Sequence, residues 1–112
     1  MENSSLDCFR QISPTLSLTK TQVWKYETDE LEGVCEIAHD RMVVKCTLAT
    51  TTNKFCDVLE IDRLIRRLLE SPVSVERLAE QLSDCFPDYS VVVAGRAKTH
   101  GWITSTFPAR WV

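Results

Sequence analysis

The stretch DVLEIDRLIRRLLESPVSVERLAEQLSDCF, residues 57–86, decides how the chain is laid out. Ile61, Leu64, Ile65, Leu68 and Leu69 recur at the i, i+3, i+4, i+7, i+8 spacing of a helix with one apolar face. Asp57, with Glu60 three residues on, reads as the acidic variant of a capping box at its start. Pro72 ends this helix, because the residue before a proline is pushed out of the helical region. Ser74 is placed to cap a second helix whose apolar face is Val75, Leu78, Ala79, Leu82 and Phe86. Pro87 and Asp88 stop that one. Glu76 falls in the first turn of the second helix, where the helix dipole favours a carboxylate.

The chain on either side of this helical pair is strand-like. Upstream, residues 16–26 set Leu16, Leu18, Val23, Trp24 and Tyr26 among threonines and lysines, a composition that suits a strand. Residues 27–35 are acidic, with one glycine, and read as a loop. RMVVKCTL, residues 41–48, is the clearest early strand, and Thr50, Thr51, Thr52 and Asn53 read as a polar connection into the helices. Downstream, Ser90 opens a valine-rich strand running to Lys98. Thr99, His100 and Gly101 supply a turn. WITSTF, residues 102–107, returns as the hairpin partner. Residues 1–15 are polar and are expected to form a loose arm, with residues 16–112 as one domain.

Composition sets broad limits. A chain of 112 residues with 44% hydrophobic and 26% charged residues matches an ordinary single globular domain. Its 13 basic and 16 acidic residues leave a formal charge of −3. That gives no bulk basic field for nucleic acid and no polybasic patch for a membrane surface. No apolar run is long enough to span a bilayer. The five cysteines, Cys8, Cys35, Cys46, Cys56 and Cys85, are odd in number and contain no C-x-x-C pair. They read as free thiols in a reducing cytoplasm rather than as a disulfide framework or a zinc site.

The order strand, strand, helix, helix, strand, strand predicts an α+β subunit: a four-stranded antiparallel sheet with both helices on one face. The opposite sheet face must be solvated or covered by another subunit, and the sheet edges are unpaired in an isolated subunit. Joining subunits edge to edge would answer both needs.

This ββααββ pattern resembles the tunnelling-fold superfamily, small subunits that assemble into barrel-like rings, and is most similar to the dihydroneopterin aldolases. That family carries, at the start of its second helix, a glutamate followed by Thr-Leu-Ala-Glu; here the string is Glu76-Arg77-Leu78-Ala79-Glu80. Its second hairpin has a lysine near the end of a valine-rich strand, which here is Lys98. The resemblance covers about residues 16–106 and rests on short motifs. It implies a homo-oligomeric ring with a pterin pocket at the subunit interfaces, and chemistry of the aldolase or epimerase kind on dihydroneopterin. A carboxylate offers two acceptor oxygens, and a 2-amino-4-oxo pterin offers two parallel N–H donors, so Glu76 is the expected ring anchor. Val75 and Val58 are the further substrate-binding positions it implies. Lys98 would face the reacting side chain as a proton-transfer group, and Glu36 is the second catalytic candidate.

The string also departs from the family. The family's tyrosine before the first helix is absent, because the chain reads Cys56-Asp57-Val58. His39-Asp40 replaces a Gly-Gln pair. These changes favour an alternative reading, a non-catalytic oligomeric binding module of the same fold. A further alternative resembles the nitrile reductases of the queuosine pathway, with Cys35 as the thiolate nucleophile. His39 and His100 are the only histidines. The zinc-binding branch of the superfamily uses a third, so neither metal nor cofactor is expected. Arg63, Arg66 and Arg67 read as a solvated helix face paired with nearby acids.

Overall fold

The computed structural model describes residues 12–110. They form an α+β fold with seven elements: β1 (Pro14–Glu27), β2 (Leu31–Val34), β3 (Arg41–Cys56), α1 (Val58–Leu68), α2 (Val75–Cys85), β4 (Ser90–Ala97) and β5 (His100–Phe107). The sheet is antiparallel throughout, in the order β1–β3–β4–β5, with β2 also paired to β3. The sheet therefore has five strands rather than the expected four.

The extra strand lies inside the segment expected to be a loop. Leu31 to Val34 pair with Val44 to Arg41, while β1 pairs with β3 further along, from Thr47 to Cys56. Two successive strands thus share one edge of β3. The break between them falls at Thr28, which is buried and closes the gap with two hydrogen bonds. Its N–H donates to the Cys46 carbonyl at 2.9 Å, and its Oγ1 accepts from the Cys46 N–H at 3.0 Å. A side-chain oxygen stands in for the missing carbonyl, so the ladder is satisfied across the kink.

A second difference concerns residues 50–53, read as a connection. They continue β3 to Cys56. Three consecutive threonines are β-branched residues that favour extended backbone, and a polar outer face does not prevent pairing with an edge strand. The final hairpin also turns earlier than expected, at Lys98 and Thr99, with Ala97 opposite His100. Arg96 pairs with Trp102, so Gly101 is the extra residue of a bulge. Most of the segment read as an arm, residues 1–15, lies outside the described residues, as does Trp111; Pro14 and Thr15 already belong to β1.

The helices form as their spacing demands. Asp57 caps α1 by accepting from the Leu59 N–H at 2.9 Å, and Ile61, Leu64, Ile65 and Leu68 are buried. Ser74 caps α2 by accepting from the Arg77 N–H at 3.0 Å, and Val75, Leu78, Ala79 and Leu82 are buried. Both helices pack on the sheet face that carries Met42, Val44, Cys46 and Leu48 of β3 and Val91 and Val93 of β4. Each such buried aliphatic side chain contributes about 1.5–3 kcal/mol relative to exposure. The other sheet face has no helix over it. Among the described residues no helix is long and apolar enough to cross a membrane.

Candidate functional site

The start of α2 is fixed in place from two sides. Beneath it, Val75 is 2% exposed and packs on Gly95 of β4. A methyl group at Gly95 would lie 2.4 Å from Val75 Cγ2, so the helix reaches this depth only because β4 has no side chain there. Beside it lies the turn between β2 and β3. That turn is closed by Cys35 N–H to the Asp40 carbonyl at 2.9 Å and His39 N–H to the Cys35 carbonyl at 2.8 Å. His39 takes a φ of 58°, in the left-handed region. The Val73 N–H donates to the Val34 carbonyl at 2.9 Å, tying the link between the helices to β2.

Glu36 joins the turn to the helix. Its carboxylate accepts from the Ser74 N–H at 3.2 Å and from Arg77 Nε at 2.8 and 3.0 Å. The Arg77 hydrogen bonds, followed by those to Ser74, hold its carboxyl below the usual carboxylate range; Glu36 in turn raises Arg77. Glu36, expected as a catalytic candidate, is thus engaged as a bridge at a helix N-terminus, where backbone N–H groups and the helix dipole favour its charge.

Glu76, the next residue after Val75, is exposed and has no hydrogen bond or ion pair to a described residue. It stands on the rim of a cleft of about 160 Å³ between the β2–β3 turn, α2 and the start of β5. The cleft walls are apolar: Cys35, Ile37, Ala38, Met42, Val75 and Ile103. Ser74, Glu76 and His100 supply its polar groups. On its other side Glu76 borders a more open groove of about 320 Å³ with Arg77, Glu80, Ser105 and Phe107.

The expected site residues are only partly brought together. Glu76 and Val75 share the cleft. Lys98 does not line it; it belongs to a groove of about 490 Å³ formed with Glu32, Arg41, Val43, Arg96, Ala97 and His100. Val58 starts α1, is 36% exposed, and lines neither the cleft nor this groove. His100 lines both and is half-buried. The sequence places it in the Thr99–Gly101 turn. The signal that distinguishes the two is the bulge at Gly101, which turns His100 to the helix-facing side of the sheet, opposite buried Ala97.

The thiols differ sharply in setting. Cys35 is buried and contributes to the cleft wall. Burial pushes the Cys46 thiol up to about 12, so it stays protonated at neutral pH. Cys56 is also raised by burial, and burial pushes the Tyr89 phenol up to about 12. Among the described residues no group of three or more His, Cys, Asp and Glu is arranged to hold a metal ion. Neither a family model nor a curated protein matches this sequence.

Proposed function

We propose that the chain is a tunnelling-fold-like subunit that holds a pterin or a similar bicyclic nitrogen heterocycle, with Glu76 as the ring anchor. The observation that carries this reading is the contrast between Glu36 and Glu76 at the start of α2. Glu36 is spent on Arg77 and Ser74, whereas Glu76 has no described partner and overlooks an apolar cleft. A carboxylate on such a rim suits a flat ring that presents two parallel N–H donors. The apolar wall suits the ring face, and partial enclosure by one chain suits a pocket completed by a second subunit. The outer edges of β1 and β5 are unpaired among the described residues and offer the surfaces for assembly into a ring.

Turnover of dihydroneopterin by aldolase or epimerase chemistry is the catalytic form of this reading, with Lys98 as the proton-transfer group. A binding module without turnover is favoured by two observations: Lys98 opens to a different groove from Glu76, and Glu36 is already paired. Titration with a reduced pterin tests the shared part. Glu76→Gln should weaken binding by about 1–3 kcal/mol, the size of a lost charged hydrogen bond, while Glu80→Gln leaves it unchanged. Equal affinity of Glu76→Gln and the parent protein would remove the anchor. Product chromatography after incubation with dihydroneopterin then separates enzyme from binding module.

A further inference from the structure

We propose that the groove beside the Lys98–Thr99 turn is a binding site for the phosphate group of a phosphorylated small molecule, held by Arg41, Arg96 and Lys98. The proposal does not depend on the heterocycle reading of the cleft.

Register puts the cations together. Val43 pairs with Arg96, so Arg41, Val43 and Arg96 all point to the helix-free face of the sheet, and Lys98 follows at the end of β4. All three cations line one groove of about 490 Å³. Glu32 is the sole carboxylate in that lining, so three cations face one acid in a chain whose net charge is −3.

Their pairing state is the second observation. Arg66, Arg77 and Arg110 each hold a carboxylate, Asp62, Glu36 and Asp84 respectively, at 2.7–2.8 Å. Among the described residues Arg41, Arg96 and Lys98 hold none, and Glu32 pairs with none of them. Arg96 is instead steadied by the Trp102 ring, 5.3 Å from its guanidinium carbon. Three like charges lining one groove against a single carboxylate repel one another, and a bound dianion relieves that repulsion. Two guanidinium forks and an ammonium group match the several acceptor oxygens of a phosphate.

The same face argues against an extended polyanion. Beyond the groove it presents Thr47, Ala49, Val92, Thr104 and Thr106, which offer no cationic track; Lys45 is the one further cation along the centre of the face. Lys25, on the same face at the β1 edge, is paired with Glu27 at 3.9 Å, so the unpaired cations gather mainly at one end of the sheet and fit one phosphate-bearing small molecule.

The two histidines give a local readout, since His100 lines the groove and His39 does not. The experiment follows both imidazole resonances by NMR during titration of the full chain with pyrophosphate at constant ionic strength. The expected result is a saturating shift of His100 at concentrations below about 1 mM, with His39 unmoved. Arg41→Gln with Lys98→Gln should weaken binding by about tenfold or more. Arg63→Gln, a charge removed from the exposed side of α1, should leave it intact. Should the double substitution disturb folding, each single substitution reads the same loss in smaller measure. Absence of a saturating shift, parallel movement of both histidines, or an equal loss in Arg63→Gln would overturn the site. Pterin binding in the Glu76→Gln protein has no bearing on any of these outcomes.

Discussion

Glu36 grips Arg77 with both carboxylate oxygens, at 2.8 and 3.0 Å to the same Nε, across 41 positions of sequence. The contact fastens the β2–β3 turn to the first turn of α2, and so sets the mouth of the cleft beside Glu76. Because the pairing lowers the Glu36 pKa, its contribution is present above the ordinary carboxylate range and is lost as pH falls through the depressed value. The bridge is solvent-exposed, so its effect on global stability is small. Its local effect is the one to measure.

Glu36→Gln should therefore speed amide hydrogen exchange at Cys35 and His39, whose N–H groups close the turn, and leave exchange in the centre of β3 unchanged. The difference between parent and variant should vanish in strongly acidic solution, where the parent carboxyl is protonated. Equal exchange at neutral pH would mean that the turn holds itself closed without the bridge.

Gly95→Ala tests how α2 is seated. The added methyl meets Val75 Cγ2 at 2.4 Å and Val44 Cγ1 at 3.3 Å, both in the packed core. Overpacking of this kind costs about 1–3 kcal/mol. Adding Val75→Ala should recover part of that loss, because the two side chains compete for one space. Chemical denaturation of the two single variants and the double variant measures the coupling. Additive losses would show that the strain is relieved elsewhere.

Much of this seating was legible in the sequence. The apolar spacing from Ile61 to Leu69 and from Val75 to Leu82 fixed two helices, and Ser74 and Asp57 marked their starts. The valine-rich strand after Pro87 and its return were equally clear. β2 was hidden because it is four residues long and embedded in acids: Leu31 is buried, but Glu30 and Glu32 beside it read as loop. The continuation of β3 through Thr50 to Cys56 was hidden because its pairing with β1 is non-local and irregular in register. The placement of Glu76 at a helix start was visible, since it follows from the local pattern. The Glu36–Arg77 contact was not, since no local pattern joins residues so far apart. Nor was the double placement of His100, which depends on a one-residue bulge.

Thr28 carries the ladder across the break between β1 and β2. Thr28→Val keeps the shape but leaves the buried Cys46 N–H without an acceptor, at a cost of about 1–3 kcal/mol. Thr28→Ser retains the oxygen and should lose much less. Urea unfolding of the two variants gives the comparison. If serine and valine cost the same, packing of the threonine methyl rather than its hydrogen bond holds this edge.

Alkaline stability should expose the buried acids of the core. Cys46 and Tyr89 are neutral when protonated, and burial raises both to about 12, from 9.0 and 10.0 in an open chain. The folded state thus holds these protons more tightly than the unfolded state. Their contribution is complete below about pH 9 and is lost as pH rises toward the folded values, by about 1.4 kcal/mol per pH unit for a fully coupled group. For Cys46, which is 1% exposed, the full window amounts to roughly 4 kcal/mol. Tyr89 is only half-buried, and solvent reduces its share. Cys46→Ala should be less stable than the parent at neutral pH, because it leaves a small cavity. Its stability should nevertheless fall less steeply between about pH 9 and pH 11, so that the two curves converge. Urea midpoints measured across that range decide the matter: parallel curves would show that the Cys46 thiol ionises as readily in the fold as in the open chain.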